Sequence, residues 1–223
     1  MTCEKSLPAE FQRDEEISRR INEFFARAFR MPPDDYYSRL TLTDILSLKS
    51  ALSDINNAIT MQLTLHFVEW VGCVLSMDLV TRRNLRAAVL ASKPSSNGYD
   101  VWCEKQPRFI AEVKCNIPIN GGNKYGADQR TGIFKDIDAL LSGKTKGMPI
   151  TEPTLKFMVF LDIPAVREAN NHLLKSAAAL SKKLELLADG EQPFNANVVY
   201  IVHIPVGNFQ PLRRSSTSVY SKP

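Results

Sequence analysis

Gly98-Tyr99-Asp100-Val101-Trp102-Cys103-Glu104, then Lys105-Gln106-Pro107, then Arg108-Phe109-Ile110-Ala111-Glu112-Val113-Lys114-Cys115, is the stretch on which the fold turns. Its two flanks alternate apolar and polar residues, the period-two pattern of a half-buried β-strand. The three residues between them suffice for a hairpin loop. Folding the chain about Gln106 sets Glu104 against Arg108, Trp102 against Ile110 and Asp100 against Glu112. Directly opposed residues of an antiparallel pair hold their Cβ atoms about 4.5–5.5 Å apart. Lys114 follows Glu112 on the same face. The other face, with Tyr99, Val101, Cys103, Phe109, Ala111, Val113 and Cys115, is almost wholly apolar. One face is suited to a core, the other to something polar.

Opposed carboxylates repel, so Asp100 and Glu112 need a compensating cation. Lys114 supplies one positive charge and a divalent ion would supply the rest. Mg²⁺ takes oxygen ligands from one or two carboxylates together with water and substrate phosphate, and such an ion beside a phosphodiester promotes its hydrolysis. The plain structural alternative is a surface Glu112–Lys114 pair on a solvated strand. The register of Asp100, and the place of Glu112-Val113-Lys114 at the end of an apolar strand, favour the site. No other Asp/Glu-x-Lys occurs in the chain.

Length and composition set wider bounds. The 223 residues suit one domain with a helical extension, and an apolar fraction of 44% supports a sizeable core. A net charge of +4 is compatible with a nucleic-acid partner without pointing to one. The four cysteines lack Cys-x-x-Cys spacing and the three histidines complete no ligand set, which excludes a zinc site and predicts buried free thiols. The apolar run from Leu65 to Val80 is broken by His66, Glu69 and Asp78, short of a membrane span. Met1 to Pro8 shows no secretory pattern. The expectation is a soluble, cytoplasmic protein.

Along the chain, Phe11, Ile17, Ile21, Phe24, Phe25 and Phe29 predict an amphipathic helix over 9–30, stopped by Met31-Pro32-Pro33-Asp34-Asp35. A second helix is expected from Thr43-Asp44 to about Met77. His66 on it reads as a satisfied, partly buried histidine. Glu69, set amid Phe67, Val68, Trp70 and Val71, is costly to bury unless paired or metal-linked. Asp78 to Arg86 reads as a basic loop and Ala87 to Ala91 as a short strand. After the hairpin, the Gly/Asn-rich loop 116–126 ends in Lys124 and Tyr125, residue types that hold a sugar-phosphate backbone; Arg130 follows on the next helix. That helix is expected over 127–142, a doubly buried strand over 154–163, a long helix over 164–188 from Pro164, and a second doubly buried strand over 198–204. The basic segment 211–223 is expected to be disordered.

The order helix, strand, strand with Asp100, strand with Glu112 and Lys114, helix, strand, helix, strand resembles the PD-(D/E)XK nuclease superfamily, across roughly residues 45–205. The resemblance implies an α/β, restriction-endonuclease-like fold: a mixed central sheet flanked by helices in residues 45–210, after an N-terminal helical extension in 1–44. It implies Mg²⁺, with Mn²⁺ as a substitute, on Asp100, Glu112 and the Val113 carbonyl, and Lys114 orienting or deprotonating the attacking water. Glu69 resembles the family's loosely placed helical acid, and Gln129 the glutamine that some branches carry after the motif. Tyr99 stands where the family often has proline. The implied protein is a Mg²⁺-dependent endonuclease for double-stranded DNA, with a compact type II restriction enzyme, working as a homodimer, as one form. The alternatives are a non-catalytic nucleic-acid-binding or assembly protein of the same fold, and a nuclease for branched or damaged DNA or for RNA.

Overall fold

The computed structural model describes residues 12–93, 98–118, 122–147, 149–150, 153–176, 181–188 and 190–207. The basic segment 211–223 lies outside them. The chain divides into two compact units, Met1–Asp54 and Ile55–Pro223.

In the first unit, α1 (Arg13–Phe29) carries Asp14, Glu15 and Glu16 in its first turn and Arg27 in its last, charges that complement the helix dipole. The Asn22 side chain ties it to the segment that follows, donating to Asp35 Oδ1 at 2.9 Å and accepting from the Tyr37 amide at 2.8 Å. Phe24, Phe25, Phe29 and Tyr36 form an aromatic cluster beside this tie. The next helix, α2 (Leu42–Val74), starts one residue before the expected Thr43-Asp44 pair. Thr41 and Asp44 cap it reciprocally: the Asp44 amide donates to Thr41 Oγ1 at 3.2 Å and the Thr41 amide to Asp44 Oδ2 at 2.9 Å. The expected domain boundary at 44 falls inside this helix.

The second unit is an α/β layer structure. After the later part of α2 come α3 (Leu79–Ala91), β1 (Val101–Cys103), β2 (Phe109–Lys114), α4 (Ala127–Ser142), β3 (Leu155–Leu161), α5 (Pro164–Ser176), β4 (Leu184–Leu186) and β5 (Val199–Ile204). The sheet order is β1-β2-β3-β5-β4, with β1 antiparallel to β2 and all other neighbours parallel. The hairpin has the register expected from folding about Gln106, with Trp102 opposite Ile110. Its connection contains a cis Gln106–Pro107 peptide.

Side chains alternate across β2. Phe109, Ala111 and Val113 join Phe157, Val159 and Tyr200 under Leu63, Phe67, Val68 and Val71 of α2 and Leu85 and Val89 of α3. Ile110 joins Met158, Phe160, Val199 and Ile201 under Ile133, Ile137 and Leu140 of α4 and Val166, Ala169 and Leu173 of α5. The sheet is covered on both faces, as parallel sheets require. The polar face expected for the hairpin is therefore not open: Glu112 and Lys114 project beneath α4.

Three expected elements differ. Ala87 to Ala91 is helical, because Asp78 caps α3, accepting from the Thr81 amide at 2.8 Å, and the Leu/Arg/Ala-rich run that follows favours helix. Of the expected helix over 164–188, Pro164–Ser176 is helical, whereas Ser181–Lys183 is a 3-10 turn and the residues after it are not helical. Leu184–Leu186 is an edge strand parallel to β5, too short to announce itself by pattern. Of the cysteines, Cys103 is buried as expected, but Cys73 is exposed and Cys115 half-buried. No helix among the described residues is long and apolar enough to cross a membrane.

Phe157 is fully buried and its ring meets those of Phe67, Trp70, Phe109 and Tyr200. Phe157→Ala should lower unfolding free energy by about 3–5 kcal/mol. Asp78→Ala, which removes only a cap, should lower it by about 1 kcal/mol. Urea unfolding followed by circular dichroism ranks the two; equal losses would contradict this account of the core.

Candidate active site

Glu112 sits at the fourth position of β2, facing α4, and is 5% exposed. Asp100, just before β1, extends the hairpin register to the position opposite it. Asp100 is exposed as a residue, yet one carboxylate oxygen is turned inward: Oδ2 accepts the Val113 amide at 2.8 Å. A strand residue's N–H and C=O face the same side, so the Val113 carbonyl also opens toward Asp100. The three groups expected to share a cation are thus gathered at one strand end.

The lysine beside Glu112 is not Lys114. Lys144, two residues past the end of α4, places Nζ 2.6 Å from Glu112 Oε1. Its position is fixed from three sides, since Nζ donates to the Gly98 carbonyl at 2.7 Å and lies 5.4 Å from the centre of the Tyr99 ring. Tyr99 secures the same turn through its hydroxyl, which accepts the Lys144 amide at 3.1 Å. Lys114 instead pairs with Asp136 of α4. Both ion pairs arise because α4 crosses over β2. From sequence, Asp136 and Lys144 gave no signal; only the packing of α4 on the strand brings them in.

The electrostatics follow from this confinement. Burial first, and then the nearby Asp100 charge, push the Glu112 carboxyl up to about 7, against the pull of Lys144. Asp100 is also raised by burial, with the Val113 amide and then Lys144 and Lys114 opposing the rise. The Lys144 ammonium, 2.6 Å from Oε1, is the partner of this buried carboxylate. With all three carboxyls ionised, Asp100, Glu112 and Asp136 against the Lys114 and Lys144 ammonium groups leave one net negative charge. Two opposed carboxylates and a backbone carbonyl at one strand end are the hard oxygen donors a divalent cation takes. Among the described residues, no three His, Cys, Asp or Glu side chains form a ready-made cage, so water and substrate would complete such a coordination shell.

The remaining expected residues lie elsewhere or serve the fold. Glu69 is exposed on α2 and pairs with Arg86 of α3 at 3.4 Å, a surface contact outside the carboxylate site. His66 is exposed. Both ends of the Gln129 amide are used: Oε1 accepts from the Gly126 amide at 3.1 Å and Nε2 donates to the Ile117 carbonyl at 2.9 Å. Gln129 therefore latches the start of α4 to the chain leaving β2. Tyr125, expected to touch a nucleic-acid backbone, is 5% exposed, stacks on Phe160 and donates its hydroxyl to Asn170 Oδ1 at 3.0 Å. Lys124 and Arg130 are exposed and border a cavity between α4 and α5.

For Glu112 the pH dependence has a definite sign. Between its ordinary value near 4.5 and about 7, the folded protein holds a proton that the unfolded chain has released. Its contribution to stability is complete below pH 4.5 and declines as pH rises to 7. The carboxyl should titrate near neutral pH by carbon-detected NMR in the metal-free protein. Glu112→Gln should flatten the slope of unfolding free energy across that window, by on the order of 3 kcal/mol. An unchanged slope would place the titrating group elsewhere. In comparisons with known proteins, no family model, curated protein or solved structure matches the chain.

Proposed function

We propose that this chain is a Mg²⁺-dependent endonuclease that hydrolyses DNA phosphodiester bonds, built on the PD-(D/E)XK plan. One observation carries the proposal: Asp100 and Glu112 are opposed on a hairpin and partly withdrawn from water, with Lys144 held against Glu112 and the Val113 amide on Asp100. A protein that used this pair only for structure would leave it destabilising. The arrangement of a hairpin, a helix over it and parallel strands beside it supports the same plan. The chain differs from the expected order in having α3 where a first strand was expected.

Asp100, Glu112 and the Val113 carbonyl would hold Mg²⁺, or Mn²⁺ in its place, which supplies charge neutralisation and a more acidic bound water when present. The protein's own groups do the rest. Lys144, fixed by Gly98, Tyr99 and Glu112, offers positive charge where negative charge grows on the phosphoryl oxygens during in-line attack. Lys114 adds to the same field from its pair with Asp136. The partial burial of the pocket strengthens each of these contacts relative to water. Two copies acting as a homodimer would cut both strands of a duplex.

The test is digestion of supercoiled plasmid with Mg²⁺, with EDTA, and with site variants. Glu112→Gln and Asp100→Asn should each reduce cleavage by at least about 100-fold while DNA binding stays within a few-fold. Lys144→Ala should reduce it by more than Lys114→Ala, because Lys144 is the lysine held against Glu112. Discrete fragments would indicate a site-specific enzyme and a smear a non-specific one. If the purified protein cuts neither DNA nor RNA with Mg²⁺ or Mn²⁺, the enzymatic proposal fails.

A further inference from the structure

At the opposite end of α4 from Lys144 is a cavity of about 320 Å³ whose lining includes Lys124, Tyr125, Arg130, His172, Leu173 and Ser176. It lies apart from the carboxylate site, and nothing in the proposed hydrolysis uses it. Its floor is apolar, made by the buried Leu173 and by the Tyr125 ring stacked on Phe160. Its rim is cationic, with Lys124 and Arg130 both exposed.

The rim is held in place. Asn123 donates to Glu168 Oε1 at 2.6 Å and Tyr125 to Asn170 Oδ1 at 3.0 Å, so the residues on either side of Lys124 are both tied to α5. Asn170 is itself fully buried, with its amide nitrogen 2.9 Å from His203 Nε2. Arg130 is anchored in the first turns of α4, its amide donating to the Gly126 carbonyl at 3.0 Å. Glu168, the carboxylate that reaches this loop, is engaged by Asn123. Neither Lys124 nor Arg130 has a carboxylate partner among the described residues. Two cationic side chains and an imidazole thus line a space that no Asp or Glu among the described residues lines.

We propose that this cavity binds a phosphate monoester, the group at the end of a nucleic-acid strand or on a free mononucleotide. Charge selects the class. A monoester carries about −1.5 to −2 at neutral pH and three acceptor oxygens, which two cations and a ring N–H can match. A phosphodiester or a carboxylate carries a single charge. Size agrees, since 320 Å³ is at the lower end of the range for small-molecule sites, about 300–1,000 Å³. The apolar floor would face the attached sugar or base. The inference stands on the cavity and does not need the nuclease proposal. Should both hold, Arg130 is six residues along α4 from Asp136, about 9 Å at the helical rise, so a bound strand end would lie close to the cleavage site.

The experiment is fluorescence anisotropy in EDTA with the full chain, comparing an internally labelled oligonucleotide bearing 5′-phosphate, 3′-phosphate or hydroxyl ends, with AMP and adenosine measured alongside by calorimetry. One phosphorylated end, or AMP, should bind at least about tenfold tighter than its hydroxyl counterpart. A preference confined to oligonucleotides identifies a strand end as the ligand, and one shared by AMP identifies the mononucleotide. Lys124→Ala/Arg130→Ala, at two exposed positions, should abolish the preference without changing the melting temperature. Glu112→Gln should keep it, which separates this site from the hydrolytic one. Equal binding of phosphorylated and hydroxyl ligands by the unaltered protein, or a preference that survives the double substitution, would overturn the proposal.

Discussion

The structure depends on how Glu112 is accommodated beneath α4. A carboxylate in the middle of a sheet–helix interface is unfavourable unless something offsets its desolvation. Here Lys144 reaches back from the end of α4, and the Gly98 carbonyl and the Tyr99 ring hold it there. One turn of geometry later, Lys114 on the strand meets Asp136 on the helix. Gln129 then joins the start of α4 to Ile117. Three polar contacts along one strand–helix crossing fix the position of α4 over β2. The apolar contacts of Ile133, Ile137 and Leu140 supply the burial that makes the crossing stable.

The same crossing creates the chemistry. Were the hairpin's polar face open to water, Asp100 and Glu112 would be ordinary surface acids with screened charges. Covered by α4, Glu112 is raised to about 7 even with Lys144 beside it. Two carboxyls held together in such a partly buried place ask for an explanation. A bound cation supplies one that agrees with the net negative charge of the five groups gathered there. The proposed hydrolysis rests on this point, and Lys144 enters it as the positioned lysine because the turn after α4 is clamped on Tyr99.

The helix α4 also links the two sites discussed above. The turn after its C-terminal end carries the lysine of the carboxylate site, and its first turn the arginine of the cationic cavity. Both sites use groups from outside the helix that are immobilised by short hydrogen bonds to neighbouring elements, Gly98 in one case and α5 in the other. The Lys144 side chain, placed this way, loses little further freedom on binding a ligand, which is the physical content of preorganisation.

The sequence by itself determined the hairpin and its register, because period-two alternation around a short loop admits few pairings, and Trp102 opposite Ile110 follows from it. It also determined α4 to the residue, and the doubly buried strands β3 and β5, whose runs of Phe, Val, Ile and Met leave no polar face. Local pattern misled where the signal was short. Ala87 to Ala91 is apolar enough for a strand but is held in a helix by the Asp78 cap, and the three residues of β4 are defined only by pairing with β5. Glu69 and Gln129 were legible as residue types suited to catalysis, yet their partners, Arg86 for one and Gly126 and Ile117 for the other, are set by packing. Only the tertiary structure decided which lysine meets Glu112. Lys144 is 32 residues away in the chain, and no spacing rule connects a strand to the turn after the helix that covers it.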